Sequence, residues 1–197
     1  MIRRIPILPT LIVALAVGIM IWLGVWQLHR LQWKEALLAR YTQAQASSAE
    51  VAWPRDPADV TGALFHHSRF TCVEVLGRTA ISGRNRKAEP GWAQTARCRV
   101  IDDSGGGGGE ALVVLGWSRD PGEAAWAGGE VRGVIASAGG NSARLIADPP
   151  VAGLQASATP DPRDIPNNHL AYAVQWFLFA ATATIIYAIA VRKRLKP

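Results

Sequence analysis

Two stretches without a single charged residue, 5–26 and 170–191, constrain everything that lies between them. Each is about 22 residues long, and at about 1.5 Å of rise per residue a helix of that length crosses a hydrocarbon core of roughly 30 Å. The expected fold class is therefore a membrane protein whose two transmembrane α-helices flank one small outer domain, because 197 residues leave room for one folded body between the spans.

Charge gives the orientation. All 15 acidic residues fall between Glu35 and Asp164, and the 15 basic residues from Arg30 to Arg163 balance them, so the net charge of +6 comes from Arg3 and Arg4 at one end and Arg192, Lys193, Arg194 and Lys196 at the other. Lysine and arginine next to a span are retained on the cytoplasmic side, which puts both termini inside and makes the chain a two-pass protein. Arg30, Lys34 and Arg40 follow the first span on the outer side and oppose that rule for the first helix taken alone. The chain then divides into a cytoplasmic tail (1–4), a first span (5–26), a periplasmic segment (27–168), a second span (169–191) and a basic tail (192–197). A strongly basic balance also invites nucleic-acid binding, but these charges flank apolar runs instead of gathering on a folded face, so nucleic acid is not an expected partner and the lipid bilayer is.

A cleaved signal peptide is the competing reading of the first stretch. The stretch is longer than a signal core and passes straight into Trp26-Gln27-Leu28-His29-Arg30 with no small residues spaced for cleavage, so an uncleaved anchor is expected. No Ser- and Arg-rich transit peptide precedes it, which favours a bacterial inner membrane.

Residues 28–46 are good helix formers with few breakers, so the first helix continues past the span and is expected to end near Trp53-Pro54. Runs 70–76, 97–101, 111–117 and 131–135 are rich in β-formers and bounded by turn residues, which predicts a β-rich domain, an antiparallel sheet or barrel. The five glycines 105–109 read as a flexible hairpin loop, and the absence of a following Lys-Ser or Lys-Thr excludes a phosphate loop.

The chemistry-bearing residues are few. Cys72 and Cys98 either pair in an oxidising compartment or lie buried as small hydrophobes. No Cys-x-x-Cys-His, His-Glu-x-x-His or Gly-x-Ser-x-Gly occurs, and no acid–base pair or activated nucleophile is evident, so an enzyme is the weakest class. His66-His67 point to opposite faces of an extended chain and read as a solvated loop. His169 stands at the outer mouth of the second span. On a helix His169, Tyr172 and Trp176 share a face, which offers an imidazole above two aromatic rings; equally, Asn168 is a helix cap and the aromatics an interfacial belt. On the first helix Trp22, Trp26, Arg30 and Trp33 follow helical spacing, and Gly18 and Gly24 opposite Ala173 and Ala180 would let the helices approach closely.

These residues resemble the surfeit locus protein 1 family of cytochrome oxidase assembly factors. Leu23-Gly24-Val25-Trp26-Gln27-Leu28-His29-Arg30-Leu31-Gln32-Trp33-Lys34 is similar to that family's Leu-Gly-x-Trp-Gln, Arg and Trp-Lys motif, and Asn168-His169-Leu170-x-Tyr172-Ala173-x-Gln175-Trp176-Phe177 to its second. Leu112-Val113-Val114-Leu115-Gly116-Trp117 looks like its central strand, with Leu115 where an arginine is usual.

The resemblance implies a role in maturing haem-copper oxidase: binding haem a and helping it into the catalytic subunit, with cytochrome c oxidase subunit I and the haem a synthesis machinery as partners. It makes His169 the expected haem-iron ligand, with Tyr172, Gln175, Trp176, Trp26 and Arg30 around the cofactor, and lets Arg30 and Lys34 meet the propionates. The alternatives are a scaffold that holds an oxidase intermediate without haem, and a two-span envelope sensor unrelated to oxidases.

Overall fold

The computed structural model describes residues 6–101 and 107–195. Its contacts divide it into two compact units, one formed by residues up to 37 with those from 165 onward, the other by 38–164.

The first unit is a pair of helices, α1 (Ile7–Ala46, whose last turns belong to the second unit) and the C-terminal helix α3 (His169–Leu195). Only 6% of the apolar window of each helix is buried. A core helix of a water-soluble protein hides such a window, so this pattern fits a membrane protein with two spans. What each helix does shield recurs mainly at 3-and-4 spacing. On α1 the main series is Thr10, Val13, Val17, Met20, Gly24, Gln27, Leu31 and Lys34, with Leu23 and Leu28 shielded beside it; on α3 it is His169, Ala173, Trp176, Ala180, Ala183, Tyr187 and Val191. A 3.5-residue repeat keeps one seam facing its partner along the whole contact.

Small residues set the closeness of that seam. Ala173 is fully buried, and a Cβ on Gly24 would lie 2.6 Å from the Phe177 ring, so only glycine admits the ring there. The expectation for Gly18 is corrected, since a Cβ there would meet nothing within 4 Å. Side-chain hydrogen bonds tie the helices at both ends, Thr10 with Tyr187 and Gln27 with His169. Along α1 the two ties stand about 26 Å apart, close to the roughly 30 Å thickness of a hydrocarbon core.

The second unit begins with the end of α1. The helix stops at Ala46, short of the expected Trp53-Pro54, because Ser47 and Ser48 offer the backbone a competing partner: the Ser47 hydroxyl accepts the Ala49 N–H at 3.2 Å. Tyr41 and Ala44 on these last turns are buried, with the Tyr41 ring 4.8 Å from Phe65. Burial raises the Tyr41 phenol above its ordinary pKa of 10.0. A one-turn helix α2 (Val60–Ala63) leads into the strands.

Among the described residues, five strands close into one barrel in the order β1 (His67–Arg84), β2 (Pro90–Ile101), β3 (Gly107–Ser118), β5 (Ser142–Ala147), β4 (Gly129–Gly139). The expectation of a wholly antiparallel sheet is corrected: β5 runs parallel to β3, pairing Leu112 with Arg144 and Val114 with Ile146. Five strands in a closed ring cannot alternate direction all the way round, so one neighbouring pair has to be parallel. The glycine loop is also revised. Gly107–Gly109 open β3, while Gly105 and Gly106 lie outside the described residues. His66 and His67 are half-buried, and His67 pairs with Val134 as the first residue of β1, so they are not a solvated loop.

Period-2 alternation fills the barrel. Phe70 and Cys72 on β1, Ala96 and Cys98 on β2, Val113 and Leu115 on β3, Ile135 on β4 and Leu145 on β5 form one buried cluster, against which Trp53 packs edge-on to Phe70 at 5.1 Å. Arg97 and Arg99 alternate outward. Beyond the core, β1 and β2 continue as a ribbon to Arg84↔Pro90, and the turn is held by Asn85, whose side-chain oxygen accepts the N–H groups of Lys87 and Glu89 at 2.9 and 3.0 Å. Cys72 and Cys98 are joined by a disulfide between these neighbouring strands, with 5.4 Å between Cα atoms.

Candidate functional site

The site is built where the two sequence motifs meet at one end of the helix pair. His169 is the first residue of α3, and the Asn168 carbonyl accepts the Tyr172 N–H at 3.2 Å, so Asn168 takes the cap position and the imidazole sits on the opening turn. The ring is half-buried in the seam, with Nδ1 2.7 Å from Gln27 Oε1. An amide oxygen only accepts, so in this contact Nδ1 is the donor.

Gln27 holds this place for a reason legible in α1 itself. It follows Gly24 by one turn in the shielded series, and an amide in an apolar helix face needs a partner on the neighbouring helix. Gln27 lies inside the first motif, where residue type alone gives it no role. The signal that identifies it is its phase: with Met20, Gly24 and Leu31 it lies on the seam, whereas Trp22 and Trp26 do not.

Of the residues expected around a flat ligand, the seam takes His169 and Trp176. Trp176 is half-buried, its ring 6.1 Å from that of Phe179 in an edge-on pair. Tyr172 is 51% exposed and Gln175 is exposed as well, because Ala173 and not Tyr172 follows His169 in the seam; the smaller side chain sits where the helices touch. On α1 Trp26 is 48% exposed, and Arg30 is exposed with its guanidinium carbon 4.0 Å above the centre of the Trp33 ring. That cation–π contact fixes the direction of the Arg30 side chain while leaving its N–H donors in reach of an anion. Lys34 is half-buried one turn further on.

Elsewhere the described residues offer little chemistry. No group of three or more His, Cys, Asp or Glu among them is placed to hold a metal ion. The cysteines are both consumed in the disulfide. Leu115 is buried in the barrel core, where an apolar side chain suits its neighbours Val113 and Leu145 better than an arginine would.

Comparison with known proteins gives one result at each level. No curated protein matches the chain. The model of the SURF1 family matches residues 14–181, a stretch that starts within α1, takes in the whole barrel and ends within α3, so most of α1, the first half of α3, the barrel and both motifs fall inside the match. On that match the chain belongs to the SURF1 family.

Proposed function

We propose that the protein is a haem a-binding assembly factor for cytochrome c oxidase, with His169 as the iron ligand. Membership of the SURF1 family is consistent with a role in oxidase assembly. The observation that carries the finer reading is the position of His169: of the four histidines in the chain it is the one in the seam of the helix pair, half-buried beside Trp176, with a ring nitrogen left for a ligand.

The donor set suits haem. Neutral imidazole is a usual axial ligand, the flanking aromatics offer an apolar surface for a macrocycle, and Arg30 and Lys34 can meet its propionates at the membrane edge. When bound, haem supplies the iron that the imidazole ligates; the chain's task is to hold, orient and shield the cofactor until it passes to subunit I of the oxidase. Tyr172, Gln175 and Trp26, exposed beside the seam, would form the outer rim of such a site. We place both termini in the cytoplasm, the helices in the inner membrane and the barrel in the periplasm, on the strength of the basic tails and the apolar windows.

The test is spectroscopic and genetic. Full-length protein co-expressed with a haem a source is expected to carry haem after purification, and His169→Ala to lose its low-spin spectrum. An unchanged spectrum in the variant would remove His169 as the ligand. A deletion strain is expected to lose cytochrome c oxidase activity; normal activity would refute the assembly role itself.

A further inference from the structure

The Gln27–His169 contact does more than join two helices. We propose that Gln27 is a positioning residue that selects the Nδ1–H tautomer of His169 and thereby reserves Nε2 for the metal; the inference rests on the reading of His169 as a haem ligand.

Three observations carry it. The contact is short, 2.7 Å from Nδ1 to an oxygen that can only accept, so it selects one of the two neutral tautomers. Gln27 sits on the seam, and the absence of a side chain at Gly24 one turn away, where the Phe177 ring enters, brings the two backbones close enough for the amide to reach across. His169 itself lies on the first turn of α3, where a helix end frays most readily, so a partner on α1 supplies the fixed ring orientation that its own helix does not. Histidines that bind metals are commonly held in this way, by an acceptor on the ring nitrogen away from the metal, and loss of that acceptor weakens metal binding about 10- to 100-fold.

A glutamine is a neutral acceptor. A carboxylate at position 27 would pull the Nδ1 proton toward itself and make the imidazole a stronger donor, so Gln27 also sets the electron density at the iron. An apolar side chain at position 27 would free the ring to turn and to exchange tautomers.

The experiment uses the full chain in detergent, labelled with 15N-histidine, and the variants Gln27→Leu and Gln27→Glu. Without haem, the ring-nitrogen spectrum of His169 is expected to show Nδ1 protonated in wild type and in Gln27→Glu, and a mixture with Nε2 protonated in Gln27→Leu. Titrated with ferric haem, Gln27→Leu is expected to bind about 10- to 100-fold more weakly than wild type. Gln27→Glu should bind within a few-fold of wild type and show a lower midpoint potential. A wild-type His169 protonated on Nε2 overturns the proposal, as does full haem affinity in Gln27→Leu alongside loss of binding in His169→Ala, a result that leaves the haem reading standing. If His169→Ala binds haem as well as wild type, the haem reading falls and the positioning role falls with it. The wild-type tautomer decides the first point even if Gln27→Leu does not fold.

Discussion

Gly133 on β4 is the position where the barrel's closure is most exposed to a single atom. It faces Ala147 across the β4–β5 pair and Ser68 across the β4–β1 pair, so it is hemmed in on both sides. A Cβ there would stand 2.0 Å from the Ile146 carbonyl oxygen and 2.7 Å from its carbon, both backbone atoms that cannot swing aside. The closest ordinary carbon–oxygen contacts are about 3.3 Å, so alanine would drive β5 away by about 1.3 Å. The backbone hydrogen bonds that flank this point, such as Asp148 N–H to the Arg132 carbonyl at 2.9 Å, would be stretched beyond bonding range. Losing two or three such bonds at about 1 kcal/mol each, with the overpacking strain added, gives a loss of about 3 kcal/mol or more. Gly77 on β1 is the control, because a Cβ there meets nothing within 4 Å and its replacement by alanine should change stability by less than about 1 kcal/mol. Urea unfolding of full-length protein in detergent, followed by tryptophan fluorescence, to which Trp53, Trp92, Trp117 and Trp126 of the barrel unit contribute, reads both variants. If Gly133→Ala unfolds at the wild-type midpoint, the close approach of β4 to β5 is wrong, and the argument for a closed barrel fails with it.

The seam between α1 and α3 should respond in the same position-dependent way: Gly24→Leu, which puts its side chain into the Phe177 ring, lowers the thermal midpoint in detergent, while Gly18→Leu, in open space, leaves it unchanged. Reducing the Cys72–Cys98 disulfide removes a cross-link over 26 residues, which in the chain-entropy model is worth about 3.5 kcal/mol, so the urea midpoint of the barrel is expected to fall sharply with dithiothreitol; an unchanged midpoint would mean the bond does not form. The Tyr41 phenol is raised by burial above 10.0, so between the unfolded and folded values the unfolded chain holds fewer protons and stability declines as pH climbs past 10. Tyr41→Phe should remove that slope in unfolding measured from pH 9 to 11.

Much of this architecture could be read from the chain alone, for physical reasons that differ by element. The apolar stretches announce themselves because about 20 uncharged residues have few other uses. Strand β3, the first halves of β1 and β4 and the last part of β2, residues 97–101, were legible because their inward positions are apolar in alternation, as in Cys98 and Val100, whereas residues 90–96 of β2 were not. The second half of β1, residues 77–84, was not, since both of its faces are largely exposed and it is held as strand by pairing with β2. β5 escaped for a related reason: Ser142-Ala143-Arg144-Leu145-Ile146-Ala147 is short, carries a charge mid-strand and signals only two large apolar residues. Missing it hid the parallel pair as well, because a ring of four strands could have alternated throughout. At the candidate site the motif residues were visible, but their division between seam and exterior was not. Helical periodicity put His169 with Tyr172 and Trp176, whereas packing chose Ala173, and the partner of His169 is set by the phase of a different helix 142 residues away.

The place of β5 in the barrel has a consequence for synthesis. Its six residues wedge between two older strands, bonding β3 on one side and β4 on the other. Until that keystone emerges from the ribosome, the nascent chain holds a curled sheet with two bare edges, either of which can recruit a strand from another molecule. Truncations ending before Ser142 should therefore be trapped as aggregates, whereas the same cut placed after Ala147 leaves β3 and β4 both paired to β5.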